Sequence, residues 1–465
     1  MMSNQTIDFP QEACELLRIF DDAGIEAWAV GGCVRDSLLR RPFSDIDFAS
    51  NASWQQVKSI CESRGIRTHE TGTKHGTITV IYESSAYEMT TFRSDGAYTD
   101  ARHPDSVSFV HTIEEDLARR DFTINAIAYR PDKGIVDPYG GREDIASRTI
   151  KAVGDPNKRF AEDALRILRA CRFSSELGFS IEEQTRKAMV RSKSYLLSIS
   201  SERITHELNR MLLGPCAGTA LLECVDALSA VMPELVAMKG FDQKSPYHAY
   251  DVLKHTAKVI DGVPPYPLAR WAALFHDFGK PATFFVDDGG VGHFHAHPKL
   301  SVPIAEGAMR RLTFSQATMD RVLLLVRHHD DVMQANRKSV KRMLAKLDGD
   351  VDLFRSLCDL KRGDARGKMP NIVEAQVEMV NDLERICDEM IRDDEAFCIR
   401  DLAINGQDIM NLGVKQGPLI GKILTSALNA TIENEIGNTH DELVDFTEKL
   451  LHDQTFLKKF KKDVD

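Results

Sequence analysis

The stretch "GGCVRDSLLRRPFSDIDF" (residues 31–48) ends in two aspartates one residue apart. Its reading decides the fold. "DIDFAS" has the pattern of a β-strand, and successive side chains on a strand leave from opposite faces. Asp45 and Asp47 therefore share one face while Ile46 enters the core. Two carboxylates so placed repel each other unless a cation sits between them. Mg²⁺ suits such a pair, because it accepts one or two carboxylates together with substrate phosphates. Taken alone, the spacing equally suits the polar face of a half-exposed strand. The glycines upstream change that balance. Gly31 and Gly32 join the predicted strand "EAWAV" to the predicted helix "VRDSLLRR". A glycine turn lets backbone approach a phosphate closely, and the helix start offers free N–H groups and a positive dipole end. Arg35 adds a charge one turn in, and Glu88 in "YEMTTF" offers a third carboxylate from a neighbouring strand. The stretch thus reads as a triphosphate cradle ahead of a metal-binding strand, able to clamp a hydroxyl and a leaving pyrophosphate in line through two divalent ions.

Outward from this point the first third of the chain mixes patterns. "QEACELLRIFDDAG" and "WQQVKSICESRG" have helical spacing and end at Gly24 and Gly65, and "GTITVIYESSAYEMTTF" reads as two strands around a Ser-Ser turn. Beyond Gly154 almost every periodic segment is helical, with breaks expected at Gly262–Pro267, Gly289–Gly292 and Lys361–Pro370. The expected fold is an N-terminal α/β unit with a mixed sheet, followed by all-α domains.

The chain has 465 residues, 43% hydrophobic and 28% charged, so about three domains with sizeable cores are expected. A net charge of −11 and a pI of about 5.8 exclude indiscriminate coating of nucleic acid, leaving local basic patches to make any such contact. The nine cysteines include no CxxC pair, which excludes a zinc ribbon and a disulfide scaffold. The N-terminus lacks a signal-peptide pattern, and the longest aliphatic run, "VLLLV", is far too short to span a bilayer. No membrane association and a reducing cytoplasm are the expectation.

"GGCVRDSLLRRPFSDIDFA", "EMTTFRSDGAYTDARHPDSVSF", "EDLARRDFTINAIAY", "DPYGGREDI" and "RFAEDALRILRACRFSSELGF" follow one another in a set order. In order and spacing this resembles the class II tRNA nucleotidyltransferases, the CCA-adding enzymes, densely over residues 26–180. Bacterial poly(A) polymerases share part of the set. The resemblance implies a polymerase-β-like palm over 1–150, a helical neck over 151–240 and a helical tRNA-binding tail over 371–465. It also implies Mg²⁺-dependent transfer of CMP, CMP and AMP from CTP and ATP to the 3′ end of tRNA without a template. Asp45, Asp47 and Glu88 would be catalytic. Gly31, Gly32, Arg35, Arg120 and Asp121 would bind nucleotide, with Asp121 sensing the ribose 2′-hydroxyl. "RSDGAYTDARHPDS" (93–106), polar and glycine-containing, resembles the loop that helps such enzymes switch from C to A addition.

The base-reading residues have a chemical rationale. Asp163 and Arg166, read as i and i+3 of one helix, would share a face. A carboxylate only accepts and a guanidinium only donates. Cytosine and adenine both present an amino donor beside a ring-nitrogen acceptor, whereas uracil and guanine present a carbonyl to Asp163. An unpaired buried polar group costs about 1–3 kcal/mol, enough for useful rejection. In the resembling family this pair reads CTP and ATP; Glu162 would orient the arginine, and Arg169 and Arg172 would add nucleotide contacts. On spacing alone the pair equally suits a surface salt bridge.

Seven of the 15 histidines lie between positions 255 and 329. The ordered series H…HD…H…HH…D resembles the HD phosphohydrolase superfamily and implies a metal domain over 241–370. Its ligands would be His255, His276, Asp277 and Asp364, with His297 and one of His328 or His329 available for a second ion or a phosphate. Imidazole with carboxylate suits Mn²⁺, Fe²⁺, Ni²⁺ or Zn²⁺ better than Mg²⁺. Some CCA-adding enzymes carry such a domain with 2′,3′-cyclic phosphodiesterase, 2′-nucleotidase and phosphatase activity. Helix packing is the competing reading of the histidines. "NRKSVKRMLAK" and "DLKRGDARGK" are the densest basic stretches after the palm and are candidates for tRNA contact. Four rival functions stand beside CCA addition: a poly(A) polymerase, a phosphohydrolase whose head only binds nucleotide, a non-catalytic tRNA-binding protein, and an enzyme of the same family that adds only A. Oligomeric state is not legible.

Overall fold

The computed structural model describes the chain except residues 1–6, 8, 44, 74–75, 96–106, 247, 454–455 and 457–465. Most of the segment 93–106 and all of the basic tail "KKFKKDVD" lie outside the described residues. The described residues form two compact units, Met1–Val236 and Ala237–Asp465.

The first unit opens with α1 (Gln11–Asp22), β1 (Ala27–Val30), α2 (Gly32–Leu38), β2 (Ile46–Ser50) and α3 (Trp54–Ser63). It continues with β3 (Arg67–His69), β4 (Thr77–Tyr82), β5 (Ser85–Thr91), β6 (Arg93–Asp95), β7 (Val107–Phe109), α4 (Ile113–Ala118), β8 (Ala128–Arg130) and β9 (Gly134–Val136). Seven strands form one mixed sheet in the order β3-β4-β5-β2-β1-β8-β9. Its one parallel pair is β2 with β5. The apolar face explains the register. Ile46 and Phe48 are buried, and the Phe48 and Tyr87 rings stack at 5.5 Å across β2 and β5. Because the period of a strand is 2, burying these residues turns Asp47 and Glu88 to the opposite face. The turn between β4 and β5 falls at Glu83–Ser84, one residue before the expected Ser-Ser, with Glu83 at φ 52°.

Helices then take over: α5 (Gly141–Ala146), α6 (Pro156–Glu162), α7 (Leu165–Leu177), α8 (Glu183–Ser192), α9 (Ser201–Leu213), α10 (Ala217–Leu228) and α11 (Glu234–Met238). A two-stranded parallel pair, β10 (Thr149–Ile150) with β11 (Ser180–Ile181), ties the start of this region to the end of α7. "RFAEDALRILRACRFSSELGF", read as one helix, is two. The chain leaves α6 at Asp163 in an extended conformation (φ −142°, ψ 104°). Asp163 Oδ1 then accepts the Leu165 N–H at 3.0 Å, satisfying a free donor at the start of α7. Asp163 and Arg166 therefore do not share one helical face, and the expected i, i+3 geometry is corrected here.

The second unit contains α12 (Val252–Gly262), α13 (Pro267–Phe275), α14 (Lys280–Thr283), a hairpin of β12 (Phe285–Val286) and β13 (Gly292–His293), α15 (His297–Arg311), α16 (Gln316–His328), α17 (Arg337–Lys346) and α18 (Val351–Arg366). After them come α19 (Pro370–Arg392), α20 (Gly406–Asn411), α21 (Pro418–Ile432) and α22 (His440–His452). The break expected over Lys361–Pro370 falls in the last part of that range, at Gly367–Met369, since α18 runs through to Arg366. Gly363 sits inside that helix because a Cβ there would lie 2.5 Å from Val263 Cγ1 and 3.0 Å from the Val259 carbonyl; only glycine lets α18 approach α12 so closely. Most cations of the two basic stretches are engaged internally. Arg337 and Lys341 pair with Glu395, Lys338 and Arg342 pair with Glu433, and Lys361 donates to the His329 and Asp331 carbonyls at 2.7 Å. They fasten α17 and α18 to neighbouring elements. No helix among the described residues is long and apolar enough to cross a membrane.

Candidate active site

β2 delivers the acids. Asp45 immediately precedes the strand, Ile46 is buried, and Asp47 is open to a cleft. Asp47 is paired in register with Val30 on β1 and with Glu88 on β5. Partial burial pushes the Asp47 carboxyl above its ordinary range; Glu88 and Asp45 push it further and Arg120 opposes them. An oxygen-only donor set in which the protein leaves repulsion uncompensated fits a hard divalent cation. The cleft has a volume of about 900 Å³, and Asp45, Asp47, Gly31, Gly32, Arg35, Arg120 and Asp121 line it. Glu88 flanks Asp47 without lining the cleft itself. Gly31 adopts φ 79°, and a Cβ there would lie 3.0 Å from Arg120 Nη1. The glycine turn thus brings backbone and a guanidinium into the same small space.

The arginines are held apart by a ring. Phe173, buried on α7, carries the guanidinium of Arg172 at 4.4 Å, of Arg35 at 5.1 Å and of Arg169 at 5.4 Å from its centroid. The negative face of an aromatic ring attracts cations, so Phe173 offsets part of their mutual repulsion. Each arginine also has a polar anchor. Arg35 donates to Asn125 Oδ1 at 2.6 Å, Arg172 to Glu207 Oε1 at 3.2 Å, and Arg120 to Asp116 Oδ2 at 3.1 Å. Burial lowers the Arg172 pKa to about 10 against the pull of Glu207. Arg169 makes a two-nitrogen contact with Asp121 Oδ2, at 2.8 Å from Nε and 2.5 Å from Nη2. Asp121 Oδ1 accepts from the Phe122 N–H and from Asn125. Burial alone would raise the Asp121 carboxyl, but Arg169 and Asn125 hold it far below the carboxylate range. Both its oxygens are engaged, so a ribose hydroxyl would have to share them.

Despite the helix break, Asp163 and Arg166 both line the cleft. Arg166 is fixed by Glu162 Oε2 at 3.0 Å and by the Arg119 carbonyl at 3.1 Å. Among the described residues, nothing bonds to Asp163 Oδ2.

In the second unit, six of the expected residues converge. His255 is on α12, His276 and Asp277 follow α13, His297 opens α15, His329 ends α16, and Asp364 is near the end of α18. Asp277 Oδ2 lies 3.1 Å from His276 Nε2 and 3.5 Å from His255 Nε2, and Asp277 Oδ1 lies 3.2 Å from His297 Nε2. His255 Nε2 is 3.1 Å from Asp364 Oδ1. Two groups of three have ligand geometry and share Asp277: His255 with His276, and His297 with His329. The second nitrogen of each ring settles the chemistry. Nδ1 of His255, His276, His297 and His329 contacts the carbonyl of Gly367, Ala273, Phe294 and Val326 respectively, at 2.7–3.1 Å. A carbonyl only accepts, so each Nδ1 carries a proton, and Nε2 is the ring nitrogen turned to the carboxylates and available to a metal. His297 Nε2 and His329 Nε2 are 3.0 Å apart. Two ring nitrogens that close, beside the buried Asp277 that both groups share, fit a cation. Imidazole and carboxylate together suit a transition metal. His329 faces this centre, whereas His328 turns away to Asp331.

Comparison with known proteins gives this geometry its context. The family model described as "Poly A polymerase head domain" matches residues 27–151, and the model described as "Probable RNA and SrmB- binding site of polymerase A" matches 178–238. "HD domain" matches 247–380, and tRNA nucleotidyltransferase domain 2 matches 371–447. A CCA-adding enzyme from Geobacillus thermodenitrificans is 43% identical over 270 residues, covering 58% of this chain and 63% of that protein, a little under two thirds of its length. A CCA-adding enzyme from Limosilactobacillus fermentum is 33% identical over 450 residues, 95% of this chain and 97% of that protein. The chain belongs to the CCA-adding enzyme family. The crystal structure of the Bacillus stearothermophilus CCA-adding enzyme in complex with CTP matches it with a TM-score of 0.67 at 29% identity, over 94% of this chain and 96% of that one.

For this member of the CCA-adding family, sequence reading missed several residues at both centres. Phe173 stands beside Arg172 in "RACRF", and a run of arginines at three-residue spacing was itself a signal that something must separate the charges. Arg203 and Arg210 of α9 also line the cleft. At the HD centre, Lys280 reaches Asp277 Oδ2 at 2.8 Å, Lys368 reaches Asp364 Oδ2 at 2.6 Å, and His248 contacts Lys280 at 3.2 Å. Burial, with Lys280 and His255 nearby, lowers the His248 pKa to about 3. Lys368 lies four residues past Asp364, so helical spacing was its signal; His248 precedes α12 and had none.

Proposed function

We propose that the chain extends the 3′ end of tRNA by CCA, using CTP and ATP without a template, at the Asp45–Asp47 cleft. The observation that carries this reading is one cleft joining β2 acids, a glycine turn, a set of arginines and the Asp163/Arg166 pair. The full-length kinship supports CCA addition over AMP-only extension of generic RNA or a merely nucleotide-binding head. In this reading residues 1–150 form the palm, 151–240 the neck, 241–370 the HD domain and 371–465 the tail. Asp45, Asp47 and Glu88 would hold Mg²⁺, which supplies charge neutralisation and a more acidic 3′-hydroxyl when bound. Gly31 and Gly32 let the triphosphate close on the backbone, and Arg35, Arg120, Arg169 and Arg172 supply its counter-charge. The 3′-hydroxyl oxygen bonds to the α-phosphorus, the bond to the β-phosphate bridge breaks, and pyrophosphate leaves. Asp163 accepts the amino group of cytosine or adenine; Arg166, steadied by Glu162, donates to the ring acceptors. Nine free cysteines suit a reducing cytoplasm.

For the second unit the proposal is phosphoester hydrolysis at RNA ends, of 2′,3′-cyclic or 2′-phosphates. His255, His276, Asp277 and Asp364, with His297 and His329, would hold Mn²⁺, Ni²⁺, Fe²⁺ or Zn²⁺, whose chemistry is to acidify a water and neutralise phosphate charge. Lys280 and Lys368 keep Asp277 and Asp364 ionised.

The test offers tRNAs ending before CCA, after C and after CC with labelled CTP or ATP. The reading expects CMP on the first two and AMP on the third; incorporation of neither nucleotide contradicts it.

A further inference from the structure

A second cavity stands against the HD centre. The HD cavity measures about 260 Å³ and its neighbour about 570 Å³, and both are lined by Ala296 and Asp330. Two pairs of consecutive residues form the wall between them. His297 and His329 line the HD side, while their chain neighbours Pro298 and His328 line the other. Ala296, which caps α15 in a left-handed conformation (φ 56°), forms the shared rim. Whatever occupies the larger cavity therefore abuts the atoms that would receive a phosphate.

The lining states what that occupant is. Ala296, Pro298 and Val302 offer an apolar wall, as a nucleobase or ribose face needs. Lys346 and His328 are both committed to Asp331 Oδ2, at 2.6 and 3.0 Å. Lys299 and Arg327 are exposed, and among the described residues neither has an ion-pair partner. The volume falls within the about 300–1,000 Å³ of small-ligand pockets. An apolar wall beside the hydrolytic centre, with the two cations Lys299 and Arg327 at its rim against the one exposed carboxylate of Asp330, matches a nucleoside followed by one phosphodiester.

We infer that this cavity receives the terminal nucleoside and the adjoining 5′ phosphodiester of an RNA 3′ end whose terminal phosphate lies in the HD cavity. The inference rests on the phosphohydrolase reading above and assigns to this cavity the preference for RNA ends over free mononucleotides. For a 2′,3′-cyclic end, water oxygen bonds to phosphorus, one ribose oxygen–phosphorus bond breaks, and the released ribose oxygen takes a proton. One water is consumed and nothing is oxidised or reduced.

The experiment compares the full-length, metal-loaded chain on cytidine 2′,3′-cyclic phosphate and on a trinucleotide ending in the same group. It adds binding of a fluorescent 3′-phosphorylated trinucleotide to the metal-free chain. The wild type should favour the trinucleotide in kcat/KM. Lys299→Ala/Arg327→Ala should reduce that preference about tenfold, lower the salt slope of trinucleotide binding by about 1–2, and weaken the binding itself. Val302→Trp, which fills the apolar wall, should lower activity on both substrates, with melting temperature checked to show that the fold persists. Equal efficiency on the two substrates, or an unchanged preference in the double variant, overturns the inference while the hydrolase reading survives. Hydrolysis of neither substrate by the wild type overturns both.

Discussion

Asp47 and Glu88 stand directly opposite each other on the parallel β2–β5 pair, and Asp45 lines the cleft beside Asp47. The raised Asp47 carboxyl follows from this crowding. A carboxyl raised by folding holds its proton longer in the folded than in the unfolded chain. Stability therefore falls as pH rises from the ordinary value of 3.8 through the folded value, and charged Asp47 burdens the metal-free fold at pH 7. Asp47→Asn should melt higher than wild type at pH 7 without Mg²⁺, and the gap should close at pH 3. Calorimetry checks this; a lower melting point for the variant at pH 7 contradicts it.

Phe173 holds three guanidinium groups around one ring. Phe173→Leu keeps an apolar side chain, though a smaller one, and removes the π face. KM for both CTP and ATP should rise about tenfold, with kcat and base choice nearly unchanged, and Phe173→Tyr should restore binding. Steady-state kinetics on a tRNA lacking its terminal nucleotides reads the outcome.

Arg172 and Glu207 form a buried pair, each side chain only 5% exposed. Removing one partner strands the other charge. Glu207→Ala should cost about 3–5 kcal/mol in urea unfolding of the first unit.

The two centres should separate by metal. After chelation, Mg²⁺ should restore nucleotide addition, and Mn²⁺, Ni²⁺, Fe²⁺ or Zn²⁺ should be needed for cyclic-phosphate hydrolysis. Asp277→Ala should abolish hydrolysis and spare addition. Recovery of both activities with Mg²⁺ alone would contradict the split in donor chemistry.

These centres were unequally legible in the sequence. The Asp45–Ile46–Asp47 alternation could be read directly, because one buried isoleucine fixes which face the acids take. The HD residues could be read only as an ordered series; five helices bring them together, and spacing does not encode that. His329 was separable from His328 only once helix phase placed one ring inward. The junction at Asp163 was misread because α6 and α7 share one apolar periodicity. An aspartate there serves as a helix-start acceptor, and local hydrogen bonding of that kind competes with helix continuation. Within the expected break Lys361–Pro370, Gly363 is a packing notch inside α18, and the helix ends only at Arg366.

The most direct test measures CMP incorporation into tRNA lacking CCA by wild type and by Asp47→Asn, with cyclic-phosphate hydrolysis followed in the same preparations. The account predicts incorporation at background in the variant and hydrolysis equal to wild type. Undiminished CCA synthesis by Asp47→Asn would contradict it.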